Sequence, residues 1–458
     1  MRKSSDEEND MKIQDSLRHI SSFQIIILGF LLVILTGSLL LMLPISTQDG
    51  TGAGFLDAFF TSVSATCVTG LVVQNTAEYW SVFGQIVILC MIQIGGMGVV
   101  TVAIAIAMFS GKKIGLLQRS TMQEAISAPQ MGGIVRLTGF ILKAMLIIEL
   151  TGTLCLAPTF CSKFGIKGIW YALFHSISAF CNAGFDIMGE VEGQTSLMQF
   201  VGNPFVVIPI MLLIIIGGLG FLTWDDICKN KYHFRRYRMQ SKVVLLTTAI
   251  LLVSSAIYFF FCEFQSETWM DLSFGERVWA ALFQAVTPRT AGFNTVDLAQ
   301  MNDSSQFVTI ILMLIGGSSG STAGGFKVTT LAVLFMTVWA VFHHKEDVQA
   351  FGRRIPYSSV YNAITIFVLY LVLFLTGGIA IGYIEKVPFL TALFEAASAI
   401  GTVGLSLGLT SELSVVSKLI LIVLMFFGRV GGLTFIFAVI SEKHPSHSKF
   451  PEEKITVG

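Results

Sequence analysis

Four short segments of this 458-residue chain repeat one small pattern around a glycine. Each follows an amphipathic stretch and precedes a long apolar one. They read ATCVTGL (65–71), AFCNAGF (179–185), PRTAGFN (288–294) and AIGTVGL (399–405). The aligned glycines, Gly70, Gly184, Gly292 and Gly404, are 114, 108 and 112 residues apart. This regular period indicates one structural unit used four times.

The composition places these units in a membrane. The chain is 53% hydrophobic and 13% charged, whereas an ordinary soluble protein is about 25% charged. A membrane-spanning helix needs roughly 20 apolar residues, and eight such runs are present. They are Ile25–Leu43, Val82–Phe109, Leu137–Leu156, Phe205–Leu222, Val243–Phe261, Phe307–Leu314 continued past a glycine-rich break to Val341, Ala363–Ile384 and Leu419–Ile440. The sequence predicts eight spans, the first one retained because the polar residues before it do not resemble a cleaved signal peptide.

The positive charges predict the orientation of these spans. Formal net charge is zero, but 21 of the 29 basic residues fall in the two tails and the loops after the second, fourth and sixth spans. Cytoplasmic loops carry the excess of lysine and arginine. We therefore expect a multi-pass membrane protein with both termini in the cytoplasm.

Each unit reads as a span, a half-helix, a glycine loop and a second span. The half-helices are predicted near Gly54–Thr66, Gly168–Phe180, Gly275–Val286 and Pro388–Ala399, too short to cross a bilayer and typical of re-entrant segments. Two full crossings per unit make the repeats parallel rather than inverted. The expected fold class is all-α integral membrane, with eight transmembrane helices and four re-entrant half-helices around a central pore. The predicted repeats are residues 21–112, 136–225, 242–343 and 358–441, between a tail of residues 1–20 and a tail of residues 442–458.

Four symmetric glycine loops can build a cage of backbone carbonyls that replaces the water shell of a monovalent cation. No carboxylate occurs in these segments, which disfavours a divalent-cation filter. We expect a monovalent cation at the carbonyls of the filter residues and no cofactor on this chain. The candidate filter residues are Cys67, Val68, Thr69, Gly70, Cys181, Asn182, Ala183, Gly184, Arg289, Thr290, Ala291, Gly292, Gly401, Thr402, Val403 and Gly404.

The sixth span is interrupted by GGSSGSTAGGFK, which cannot form a stable lipid-facing helix and should line a cavity. The candidate residues of this segment are Gly316, Gly317, Ser318, Ser319, Gly320, Ser321, Thr322, Ala323, Gly324, Gly325 and Lys327. Lys327 could anchor the segment to cytoplasmic carboxylates or helix ends. Arg429 lies among apolar residues of the eighth span, where a charge costs at least about 2.5–3.5 kcal/mol and is usually functional. For the glycine-rich segment the alternative is a passive kink. For Arg429 the alternative is a structural arginine that caps helix ends. Arg289 is expected to brace its loop rather than face the ion.

The four loops, the eight spans, the interrupted sixth span and Arg429 together resemble the Ktr/Trk/HKT superfamily of potassium transporters, most closely the bacterial KtrB-type membrane subunit, over about residues 20–445. The resemblance implies uptake of potassium, with sodium as the alternative ion, across a bacterial plasma membrane. By the same resemblance, residues 316–327 are an intramembrane gating loop and the gate residues, and Arg429 is an electrostatic barrier below the filter. It also implies a homodimer, a C-terminus (Ile455–Gly458) packed into that dimer, and a separate cytosolic nucleotide-binding RCK ring. The bilayer is the other expected partner, and nucleic acid is not one.

Two other classes of protein remain as alternatives. An alternating-access carrier should show inverted repeats and intramembrane carboxylates, of which Glu149 is the main candidate. A membrane enzyme needs a catalytic cluster, and the seven histidines, mostly in predicted cytoplasmic loops and tails, form none. The seven cysteines form no CxxC pair and predict neither disulfides nor a zinc site. Channel-like transport of a cation is therefore the favoured interpretation.

Overall fold

The computed structural model describes residues 21–110, 114–126, 132–189, 196–439 and 453. The predicted tails, residues 1–20 and (apart from Glu453) 442–458, lie outside the described residues, as do Lys112 and Ile455–Gly458. The helices, in chain order, are α1 (Ser22–Leu41), α2 (Phe55–Thr66), α3 (Thr76–Tyr79), α4 (Val82–Met97), α5 (Val99–Phe109), α6 (Leu116–Ala125), α7 (Ile134–Phe164), α8 (Lys167–Phe180), α9 (Pro204–Leu219), α10 (Phe221–Asn230), α11 (Met239–Tyr258), α12 (Phe274–Val286), α13 (Asp303–Leu314), α14 (Val328–Phe342), α15 (Tyr357–Glu385), α16 (Phe389–Gly401), α17 (Val415–Val430) and α18 (Gly432–Val439). Two-residue strands, β1 (Gln349–Ala350) and β2 (Arg353–Arg354), pair antiparallel.

Among the described residues, four helices are long and apolar enough to cross a membrane: α1, α7, α11 with its π-helical continuation Phe259–Glu263, and α15. Each opens one of the predicted repeats. At 1.5 Å per residue, even the 20 residues of α1 reach about 30 Å, the thickness of the hydrocarbon core. These four apolar helices therefore recur along the sequence with the predicted period.

The four half-helices are α2, α8, α12 and α16, close to the predicted bounds. Each packs against the long helix that precedes it. Each also carries a fully buried phenylalanine on its inner face: Phe60, Phe174, Phe283 and Phe394. This residue stands ten positions before the loop glycine in three repeats and nine in the third, so the third loop is one residue shorter.

The second helix of each repeat packs against the half-helix of the next repeat. The contacting pairs are α4 with α8, α9 with α12, α13 with α16 and, closing the circle, α17 with α2. Since the last repeat returns to the first, the four units surround one axis. The half-helices and their phenylalanines thus form the centre of the molecule.

Three of these second helices bend sharply, which the sequence analysis did not predict. The pairs α4–α5, α9–α10 and α17–α18 turn by 94°, 97° and 93°. Each turn is at a glycine with positive φ: Gly98, Gly220 and Gly431. The sequence analysis treated Val82–Phe109 and Leu419–Ile440 each as one continuous span, whereas the structure bends both. The bends could not be predicted, because an apolar run does not report that its backbone turns.

In the third repeat the second helix is interrupted rather than bent. Residues 315–327 between α13 and α14 are not helical, and Ile315 and Phe326 form an isolated parallel bridge. The segment leaves the helix axis and returns to it, as its composition of glycine and hydroxyl residues predicts.

Candidate functional site

The four glycine loops meet in a closed ring. A Cβ atom built on each glycine would lie closer than 3.0 Å to a carbonyl oxygen of the next loop, an approach that real Cβ atoms essentially never show. The contacts run from Gly70 to Ala183, from Gly184 to Ala291, from Gly292 to Val403 and from Gly404 back to Thr69. The predicted filter residues are therefore brought together around the axis, and only glycine fits at these four positions.

All four loops follow the same backbone path. The residue two positions before each ring glycine has a left-handed conformation, with φ of 57° at Val68, 59° at Asn182, 66° at Thr290 and 49° at Thr402. Such angles are uncommon for residues other than glycine. The same unfavourable conformation at valine, asparagine and threonine alike indicates that the surrounding half-helices impose it.

A hydroxyl side chain near the end of each half-helix holds its loop. In the first repeat the amide of Thr69 donates to the Ser64 carbonyl at 2.8 Å and that of Gly70 to Ser64 Oγ at 3.1 Å. Ser398 holds the fourth loop in the same way. Ser178 and Thr287 instead donate across their loops, to the carbonyls of Phe185 at 2.7 Å and Phe293 at 2.6 Å. The sequence analysis missed these residues, although a hydroxyl six or five positions before each glycine was visible in the repeat.

The second helices reach the ring through their own glycines. A Cβ on Gly95 would strike the carbonyl of Thr66, and one on Gly217 that of Phe180. The same relation joins Gly428 to Ile400. These glycine clusters thus serve close packing of helices, while Gly98 and Gly220, in the same clusters, provide the bends.

Arg289 lies behind its loop rather than on the axis. Its guanidinium is buried and its Nη2 is 3.5 Å from Thr248 Oγ1 of α11. Its carbonyl accepts a bond from Asn182 Nδ2 at 3.3 Å, which ties the third loop to the second. The side chain is thus directed to α11.

The segment 316–327 lies directly against two of the glycine loops. Thr322 Oγ1 donates to the carbonyl of Phe180 at 3.1 Å and contacts Asn182 Oδ1 at 3.3 Å. Gly324 packs against the hydroxyl of Thr402 so closely that a Cβ would clash. The segment therefore crosses beneath the ring from the second repeat to the fourth.

Arg429 joins this segment to the first repeat. Its guanidinium donates to the carbonyl of Thr322 in the segment and to the carbonyls of Gly95 and Gly96 at the end of α4, the last at 3.1 Å. Lys327 Nζ donates to Ala323 O at 2.9 Å and Gly324 O at 3.3 Å. Lys327 thus binds the segment's own carbonyls, and the predicted anchor to cytoplasmic carboxylates or helix ends is wrong.

A cavity opens on each side of the ring. One, of about 470 Å³, touches all four ring glycines and is lined by polar side chains that include Asp186, Asn294, Asp297 and Ser406. The other, of about 310 Å³, is lined by the segment 319–327 and by Arg429. The ring and the segment therefore separate two water-accessible spaces along one axis.

Two buried carboxylates, Glu149 and Glu395, line neither cavity. Glu149 of α7 accepts from Gln93 Nε2 at 2.9 Å and 3.2 Å, between two helices. Glu395 accepts from Thr410 Oγ1 at 2.7 Å and from the amide of Leu407, supporting the loop that follows the fourth glycine. His175 Nδ1 lies 2.8 Å from the carbonyl of Tyr171. Within the described part of the chain no three metal-ligating side chains cluster.

An all-helical chain with long apolar spans, bent helix pairs and a central ring between two cavities defines a multi-pass membrane protein built for transport. Residues 4–450 match the TrkH family, described as a cation transport protein, and this chain belongs to that family. It is accordingly a transporter and not an enzyme.

Relatives of nearly equal length support this assignment. The chain is 40% identical over 449 residues to the potassium/sodium uptake protein NtpJ of Enterococcus hirae, covering 96% of this chain and 98% of that protein. It is 40% identical over 437 residues to the Ktr system potassium uptake protein B of Bacillus subtilis, covering 95% and 96%. The crystal structure of the potassium transporter TrkH from Vibrio parahaemolyticus has the same fold, with a TM-score of 0.71 and 19% identity over 91% of this chain and 84% of that one.

Proposed function

We propose that this protein takes up potassium across the bacterial plasma membrane through a channel-like pore formed by its four repeats. The observation that supports this most is the closed ring of Gly70, Gly184, Gly292 and Gly404, with a cavity on each side. Backbone carbonyls of such a ring can replace the water shell of a dehydrated cation.

The half-helices favour a cation at the ring. The C-terminal ends of α2, α8, α12 and α16 lead directly into the four loops. The C-terminus of a helix carries a partial negative charge. Four such ends directed at one point stabilise a dehydrated monovalent cation there, and the filter contributes no carboxylate that would trap a divalent one.

Segment 316–327 and Arg429 form the gate of the proposed pore. The segment lies between the ring and the second cavity, and Arg429 adds a positive charge where the cation must pass. Because each of its bonds goes to a carbonyl, Arg429 can be released without breaking an ion pair. The gate opens when the segment and the bent end of α4 separate.

The wider assembly follows the names of the relatives. The name of the Bacillus subtilis relative, Ktr system potassium uptake protein B, denotes one component of a system, which supports a partner for this chain. We propose that this partner is a separate cytosolic nucleotide-binding RCK ring and that this subunit forms a homodimer. Counting the broken third-repeat helix and each bent pair as one span gives eight spans, and an even number puts both termini on one side of the membrane. The basic residues concentrated on that side make it the cytoplasmic side. The name of NtpJ specifies both potassium and sodium, so sodium conduction is the second candidate.

Uptake of labelled rubidium and sodium into proteoliposomes tests the proposal. The wild type should take up rubidium faster than sodium, and Gly70→Ser should reduce this preference because its side chain is aimed at the carbonyl of Ala183. Gly54→Ser is the matched control, since nothing lies within 4 Å of a Cβ at Gly54. Equal rubidium and sodium flux in the wild type would overturn the potassium assignment, and saturable counter-exchange without a conductance would favour an alternating-access carrier.

A further inference from the structure

A groove remote from the ring has the features of a ligand site. It encloses about 450 Å³ between the first turns of α7, the face of α10 and the residue that caps α11. Arg136, Lys229 and Arg238 line it, together with the apolar side chains of Leu137, Phe140 and Leu222. Charged and apolar groups thus share one concave surface.

The charge balance of this groove favours an anion. The groove contains one carboxylate, Asp225, whose Oδ2 is 2.6 Å from Lys229 Nζ and 4.0 Å from Arg238 Nη2. Among the residues that the structure describes, Arg136 has no hydrogen bond or ion pair. Three cations therefore face a single carboxylate, and one guanidinium remains available. Arginine binds phosphate through two parallel hydrogen bonds.

The position of the groove selects the kind of anion. Arg136 and Phe140 are one turn apart on α7, and farther along the same helix Leu146, Ile147 and Leu150 are exposed on the surface that lipid covers. The 31 residues of α7 reach about 46 Å, longer than the hydrocarbon core, so its first turn lies at headgroup depth. The charged end of a ligand bound here is in contact with water, and its other end lies beside the lipid-facing surface of the protein.

The bend after α9 completes the groove. Because α10 leaves α9 at 97°, it runs across the end of the bundle, and the groove-lining residues Leu222, Asp225 and Lys229 share its face at helical spacing. Basic pockets between membrane helices bind anionic headgroups. We propose that this groove, defined by Arg136, Phe140, Leu222, Lys229 and Arg238, binds the headgroup of an anionic phospholipid, with the first part of an acyl chain against Phe140 and Leu222.

Lipid titration of the purified full-length protein in detergent tests the site. Binding of dioleoyl phosphatidylglycerol is measured by native mass spectrometry, with dioleoyl phosphatidylcholine as the zwitterionic probe. The double variant Arg136→Gln, Arg238→Gln should weaken phosphatidylglycerol binding roughly thirtyfold, since each basic residue near a headgroup contributes about fivefold. Phosphatidylcholine binding should be unchanged.

The matched control is Arg235→Gln, Arg236→Gln, which removes two charges from the adjacent turn without touching the groove. It should change binding by threefold at most. Equal losses in both double variants would mean general attraction by a basic surface and would overturn the site. Competition by millimolar inorganic phosphate as strong as by phosphatidylglycerol would show a site for soluble anions instead.

The single variant Arg136→Gln guards against misfolding, because Arg136 is exposed and has no described partner to lose. It should elute as wild type in size-exclusion chromatography and weaken phosphatidylglycerol binding by about fivefold to tenfold. Unchanged binding in this variant counts against the proposal even if the double variant cannot be purified. Binding of a partner protein to this face, without any binding of phosphatidylglycerol, would overturn the proposal.

Discussion

Arg429 Nη2 donates a hydrogen bond of 3.1 Å to the carbonyl oxygen of Gly96, across 333 residues of sequence. Gly96 belongs to the last turn of α4, just before the chain turns by 94°. The same guanidinium holds Thr322 of the segment beneath the ring. One side chain of the fourth repeat thus connects the first repeat to the third.

Arg429→Ala should raise rubidium flux in proteoliposomes by an order of magnitude. The substitution removes a charge below the ring, worth about 1–2 kcal/mol at an effective dielectric constant near 20, and it frees the segment. Arg429→Lys keeps the charge but loses the forked hydrogen bonds, so its flux should lie between the two. Unchanged uptake kinetics in both variants would contradict the barrier role.

Shortening the segment within Gly316–Gly325 should also raise flux, because the segment occupies the space between the ring and the second cavity. The readout is the initial rate of rubidium uptake per reconstituted protein. A finer variant is Gly324→Ala, whose methyl group has no room beside Thr402 and must displace the segment. Uptake at the background level of empty vesicles would indicate that the segment supports folding instead.

Gly292→Ala should abolish selectivity for rubidium over sodium and lower uptake at least tenfold. A Cβ there would strike the carbonyl of Val403, and φ of 79° costs a residue with a side chain about 1–2 kcal/mol. Gly275→Ala, at a half-helix position where nothing lies within 4 Å, should behave as wild type. Equal selectivity in the two variants would show that the ring does not discriminate between ions.

Asp186 should make cation affinity depend on external pH. It lies in the loop after α8, outside the helices that cross the membrane, and lines the cavity above the ring. Desolvation raises the pKa of its carboxyl to about 6. Above that pH the carboxylate attracts cations, and below it the neutral acid does not, so the rubidium KM should rise several-fold on acidification from pH 7.5 to pH 5.

Across this pH range the KM of Asp186→Asn should stay at the raised value that the wild type reaches at pH 5, with no dependence on acidification. Asp297→Asn is the control, because Asp297 is the other carboxylate lining the same cavity. If Asp186→Asn retains the wild-type pH profile, another group senses the protons.

Glu149→Gln should leave rubidium uptake within about twofold of wild type. Glu149 is buried between α4 and α7, bonded to Gln93, and a glutamine can keep one of those bonds. In a channel-like pore this residue is not on the ion path. Loss of uptake with retention of folded protein would favour a carrier that uses an intramembrane carboxylate.

Much of the architecture could be predicted from sequence because it depends on local chemistry. The period of the glycines, the length of the apolar runs and the amphipathic half-helices each report on a short stretch of chain, and all recur four times. The half-helix bounds agree with the structure to within a few residues for this reason. The hydroxyls at Ser64, Ser178, Thr287 and Ser398 were available in the same repeat but were overlooked.

The tertiary structure alone determined the directions of the helices and the hydrogen bonds between residues far apart in sequence. An apolar run is equally apolar when it is straight or bent, so the turns at Gly98, Gly220 and Gly431 were not visible. The charges of Lys327 and Arg429 were evident, but their carbonyl partners were not, since any exposed carbonyl can accept a bond. Sequence by itself thus determined four membrane repeats with a glycine loop in each. Only the packing of the repeats around one axis closed those loops into a ring and put the segment 316–327 beneath it.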